Sequence, residues 1–182
     1  RCGAAFGFLQ CDHCTPLANK GERVRPCVSA LRYTADTGVL IKTYKDKGEQ
    51  RLSETLAAIL ANTLPPSWLR WANGMTYVSA TNAARRRRGF DHMELLTRSL
   101  ADQCGLPCIR TLNPPATRDQ RILGKTERKQ NMQGRFTACE PLPGRRLLLI
   151  DDVFTTGATM DQAGIALELA GARVRCATVA RV

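Results

Sequence analysis

The residues best equipped for chemistry lie in LLLIDDVFTTGATM, residues 147–160. Four aliphatic residues run into Asp151 and Asp152, and the sparse loop Thr155-Thr156-Gly157-Ala158-Thr159 follows. Two carboxylates at the mouth of a buried strand can accept hydrogen bonds from neighbouring hydroxyls of a ribose, and charge-assisted bonds are the stronger class. Where the loop opens a helix, free backbone N–H groups favour an anion, phosphate above all. Gly157 permits close backbone approach. Diol acceptors followed by a phosphate cradle describe a ribose 5-phosphate group. The blander reading is an acidic pair capping a helix with no ligand. The whole run, with its aliphatics, D-D and T-T-G-x-T, favours the ligand.

These residues need a scaffold, and the sequence outlines one. Residues 147–150 show no polar alternation, as expected of a central strand covered on both faces. Residues 145–154 are predicted as that strand, with both aspartates at its end and turned toward a ligand edge. Residues 158–170 predict a helix, Gly171 ends it, and residues 172–182 read as a last strand. Upstream, Leu52, Leu56, Ile59, Leu60 and Leu64 have helical spacing, and Pro65-Pro66 stops that helix. Residues 74–81 suit a short strand leading into a loop that carries Arg85–Arg88. Asp91 and Glu94 resemble a capping box for a helix that runs to Gly105. Residues 106–112 read as a strand, and 113–136 as a long polar segment, a length that is usually functional or mobile. Strands and helices in alternation predict an α/β fold with a doubly wound parallel sheet. His13 and His92 read as exposed bystanders.

The chain of 182 residues, 43% hydrophobic, can bury one core with a small appendage. No apolar run is long enough to span a membrane, and no secretory leader is visible. Net charge is +11, from 27 Lys+Arg against 16 Asp+Glu, which suits nucleic acid, acidic lipid or polyphosphate metabolites alike. Of eight cysteines, Cys2, Cys11, Cys14 and Cys27 cluster in residues 1–27. They read as a zinc knuckle rather than a disulfide framework, with Cys27 the least secure ligand. Residues 28–182 then form the α/β domain. No Ser-His-Asp set and no cysteine with a neighbouring base stands out.

The stretch LLLIDDVFTTGAT resembles the phosphoribosyl-pyrophosphate (PRPP) binding motif of type I phosphoribosyltransferases. The rest of the chain is similar to the ComF family of competence-associated, phosphoribosyltransferase-like proteins. That likeness rests on the Cys-rich start, Tyr33, Lys45 before Gly48, Arg87-Arg88-Gly89-Phe90, and the spaced set Thr117, Gln120, Leu123, Arg128, Asn131, Gly134 and Phe136. It implies PRPP and Mg²⁺ as ligands, held by Lys45, Arg88, Thr155, Thr156, Gly157, Ala158 and Thr159, with Asp151 and Asp152 as the catalytic pair. Residues 79–90 become the pyrophosphate loop, and residues 113–136, with Arg128 and Asn131, a flexible loop that closes over PRPP. Ser79 and Pro114 depart from the family, which has proline and arginine there. The activity implied is pentosyl transfer to an acceptor that is not readable. The resemblance also implies a cytoplasmic protein acting in DNA uptake at the inner face of a bacterial membrane. Single-stranded DNA and the competence machinery are its implied partners, and a homodimer is compatible with it.

Overall fold

The computed structural model describes residues 25–115 and 135–182. Its centre is a four-stranded, wholly parallel sheet of β1 (Cys27–Arg32), β2 (Gly74–Tyr77), β3 (Arg146–Phe154) and β4 (Arg173–Arg181), in the order β1-β4-β3-β2. Among the described residues six helices accompany it: α1 (Ala35–Asp46), α2 (Leu52–Ala61), α3 (Pro66–Trp71), α4 (Asn82–Arg88), α5 (His92–Cys104) and α6 (Ala158–Leu169).

β3 lies between β2 and β4, and its alternating side chains feed two cores. Leu148 and Ile150 pack with Leu56, Leu60, Leu96 and Leu100 of α2 and α5. Leu147 and Leu149 pack with Met160, Ala163 and Leu167 of α6. Burial on both faces explains the unbroken aliphatic run.

The structure departs from the sequence reading at several elements. Residues 106–112 do not form a full strand; they meet β2 through a single parallel bridge, Met75 to Cys108. Pro65-Pro66 stops one helix but also starts another, since proline is tolerated at a first helical turn and Pro66 opens α3. The basic run expected in a loop forms α4, with Thr81 as N-cap and Gly89 (φ 78°) as its left-handed C-cap. Helix α1 was not apparent from the sequence, although Thr34 and Thr37 close a capping box at its start.

β1 begins at Cys27, which is buried and in register with Cys176, so this residue belongs to the sheet. Cys2, Cys11, Cys14, Arg128 and Asn131 lie outside the described residues. Among the described residues no helix is long and apolar enough to cross a membrane.

Candidate functional site

The site forms at the carboxyl end of β3. β2 stops pairing with β3 at Ile150, while β4 continues alongside to Phe154. Asp151 and Asp152 therefore lie inside β3 rather than at its end, and strand alternation sends them to opposite faces. This corrects the expectation that both turn to one edge. Asp152 shares the face of Ile150, beneath α1 and α5, and Asp151 shares the face of Leu149, beneath α6.

Helix α1 delivers the first partner of Asp152. The Tyr44 hydroxyl, buried, donates to the carbonyl of His92 at 2.5 Å and fixes the end of α1 to the start of α5. Lys45, the next residue, places Nζ 2.5 Å from Asp152 Oδ2. The second partner comes from α5. Asp91 caps that helix by accepting from Met93 N (3.0 Å) and Glu94 N (3.4 Å), and its other oxygen accepts from Ala80 N (3.0 Å). The Glu94 side chain does not complete the box but pairs with Arg98. Asp91 thereby sets His92 as the first helical residue, where it is buried with Nε2 at 3.3 Å from Asp152 Oδ2. The expectation of an exposed His92 is overturned. Its position at a helix start looked solvated, but the cap turns it inward.

Arg88 joins from α4. Its Nη1 lies 3.4 Å from His92 Nδ1, and its Nη2 donates to Asp46 Oδ1 at 3.0 Å. A guanidinium cannot accept a hydrogen bond, so Nδ1 accepts and the imidazole proton sits on Nε2, facing Asp152. Arg88 Nε is buried without a hydrogen-bond partner among the described residues. Asp46, Lys47, Gly48, Arg87 and Arg88 line a cleft of about 580 Å³. An orphaned guanidinium N–H beside two further cations suits an anion there.

The carboxylates are electrostatically unlike. Burial first, and then the charge of Asp152, push Asp151 up to about 8. Burial would raise Asp152 too, but the His92 hydrogen bond and the Lys45 charge outweigh it and hold Asp152 below the usual carboxylate range. Near neutral pH Asp151 keeps its proton and Asp152 is ionised, each on its own face of the sheet.

Beyond β3, Gly157 (φ 77°) precedes α6 and offers no capping side chain, while Thr155 and Thr156 are exposed. A Cβ at Gly157 would stand 2.6 Å from Phe154 Cζ, so the loop rests on that ring and only glycine fits. The structure thus gathers Asp152, Lys45 and Arg88, adds His92, and opens α6 with the predicted loop. Among the described residues no group of three or more His, Cys, Asp or Glu is placed to hold a metal ion.

Comparison with solved structures bears on the fold. The chain superposes on glutamine PRPP amidotransferase from B. subtilis with a TM-score of 0.51 and 14% identity, over 86% of this chain and 32% of that one. It thus spans about a third of that protein, with which it shares a fold. Among curated proteins the chain is similar to two named for competence and for DNA utilization. It is 24% identical over 170 residues to competence protein F of Haemophilus influenzae, covering 88% of this chain and 74% of that protein. It is 27% identical over 168 residues to DNA utilization protein YhgH of Salmonella typhimurium, covering 88% and 73%. No protein-family model matches the chain.

Proposed function

We propose that the chain binds PRPP with Mg²⁺ and acts as a phosphoribosyltransferase toward an acceptor yet to be identified. The observation that carries this reading is the Lys45–Asp152–His92–Arg88 network beside the cationic cleft. In this reading Asp152 accepts from the ribose hydroxyls on its face of β3. The loop Thr155–Thr159 and the start of α6 take the 5-phosphate. Arg88, with its unused Nε, takes the pyrophosphate. Asp152, ionised, would offset the positive charge that develops on the sugar as pyrophosphate departs. Lys45 and His92 hold that carboxylate in place. Mg²⁺, bound chiefly through the phosphate oxygens of the ligand, would neutralise the leaving group.

Titration calorimetry with PRPP and Mg²⁺ tests the reading. The wild type is expected to bind, Arg88→Ala to bind at least about tenfold more weakly through loss of charge-assisted bonds, and Asp151→Asn/Asp152→Asn more weakly still. Absence of binding to the wild type would sink it.

A second reading has support from the relatives, two of which are named for competence and for DNA utilization. Here the chain handles single-stranded DNA, and PRPP binding regulates it. Turnover separates the two: pyrophosphate released only when an acceptor is supplied favours the transferase.

A further inference from the structure

The last residue of α1, Asp46, and the last residue of α4, Arg88, meet at the cationic cleft. Among the described residues that line it, Asp46 is the one acid. It stands at a helix C-terminus, where the helix dipole disfavours negative charge. Packing does not call for it either, since its side chain is 53% exposed.

Asp46 holds Arg88 by half a fork. In a guanidinium, Nε–H and one N–H of Nη2 point along the same edge, the edge an oxyanion grips with two oxygens. Asp46 Oδ1 takes Nη2 at 3.0 Å, while Nε is buried without a partner among the described residues. The Arg88 side chain is 10% exposed, so that unfilled donor is costly. A diphosphate oxygen that fills it comes to rest beside the Asp46 carboxylate. Two anions on one edge repel, unless one leaves or a cation lies between them. Other carboxylates at the site are committed: Asp152 to Lys45 and His92, and Asp91 to the backbone N–H groups of Ala80, Met93 and Glu94. Mg²⁺ is commonly bound by one or two carboxylates together with substrate phosphates. Asp46, half exposed in the cleft, fits that part.

We propose that Asp46 is a specificity-determining residue: it admits a diphosphate to Arg88 as the complex with a divalent cation and rejects the metal-free anion. This rests on the reading of the cleft as the pyrophosphate site. The Asp46 carboxylate stays on Arg88 and shares the cation with the arriving phosphate oxygens. Without the cation, its charge opposes the attraction of Lys47, Arg87 and Arg88.

Titration calorimetry of the full chain with inorganic pyrophosphate, in magnesium chloride or in EDTA, tests the proposal. Mg²⁺ should tighten binding to the wild type at least about tenfold. Asp46→Asn should bind the metal-free anion more tightly and the Mg²⁺ complex more weakly, bringing that ratio below about threefold. Asp36→Asn, exposed in the first turn of α1, makes the same change in net charge and should keep the wild-type ratio. Circular dichroism melts confirm that both variants fold. An unchanged ratio in folded Asp46→Asn overturns the proposal, as does a wild type indifferent to Mg²⁺. Tighter binding of both forms by Asp46→Asn also overturns it, because Asp46 is then displaced rather than bridged. In each of these cases PRPP binding by the wild type leaves the pyrophosphate site standing. A wild type that binds neither pyrophosphate nor PRPP in magnesium chloride removes the site itself.

Discussion

The two ends of the sheet treat charge in opposite ways. At the carboxyl end, opposite charges meet: Asp152 meets both Lys45 and His92, and Arg88 meets Asp46. At the amino end Arg146 and Arg173 sit side by side in register, without a carboxylate among the described residues. A buried charge is tolerated only with partners, because desolvation is costly. An exposed cation tolerates a like neighbour, because water screens both. At the carboxyl end the partners therefore hold Asp152 in one geometry.

This contrast can be broken by experiment, most severely at His92. His92→Ala removes a buried ring and one partner of Asp152, and should destabilise the fold by about 3 kcal/mol in urea denaturation. A loss below about 1 kcal/mol would mean that the network does not hold the site together.

Asp151 gives the next effect. Its folded-state pKa is raised to about 8, so the folded chain holds a proton that the unfolded chain releases near the ordinary value of 3.8. Its contribution to stability is therefore greatest below the unfolded value and is lost as pH rises toward 8. Asp151→Asn should flatten that decline and exceed the wild type in melting temperature above it. Parallel melting curves for the two proteins across this window would show that the carboxyl is not buried as described.

The smallest effect belongs to the amino end. Arg173→Thr relieves repulsion with Arg146 and should stabilise by about 0.5 kcal/mol at low salt, the gain vanishing in 1 M salt. A destabilisation of similar size would mean that Arg173 has a partner, and the contrast would fail.

How much of this the sequence discloses varies with the kind of signal. β3 and α6 were readable because burial on both faces leaves an unbroken aliphatic run, and because Gly157 and Gly171 mark the ends of α6. The Asp91 cap was readable because capping is a local event. The inward turn of His92 was not, since it depends on Tyr44 and Asp152, which are 48 and 60 residues away in the chain. Helix α1 escaped because ADTGVLIKTYKD mixes glycine and β-branched residues, and its place is set by packing. The opposite facing of Asp151 and Asp152 follows from where β2 leaves β3, and no local pattern encodes that. The amino-end cluster was invisible for the same reason, because register alone brings Arg146 to Arg173.

Gly157 has an evolutionary corollary. Phe154 stands beneath it, and the Arg181 guanidinium lies 4.6 Å from the centroid of the same ring. A methyl at 157 would collide with the phenyl, so alanine becomes admissible there only after residue 154 has shrunk, and even then against an unfavourable backbone angle. Shrinking residue 154 first leaves a void beneath the loop. Each single step lies downhill in fitness even where the double change is milder, so the two positions are locked in a historical order. Lineages that carry this loop should inherit glycine and phenylalanine as one unit of descent.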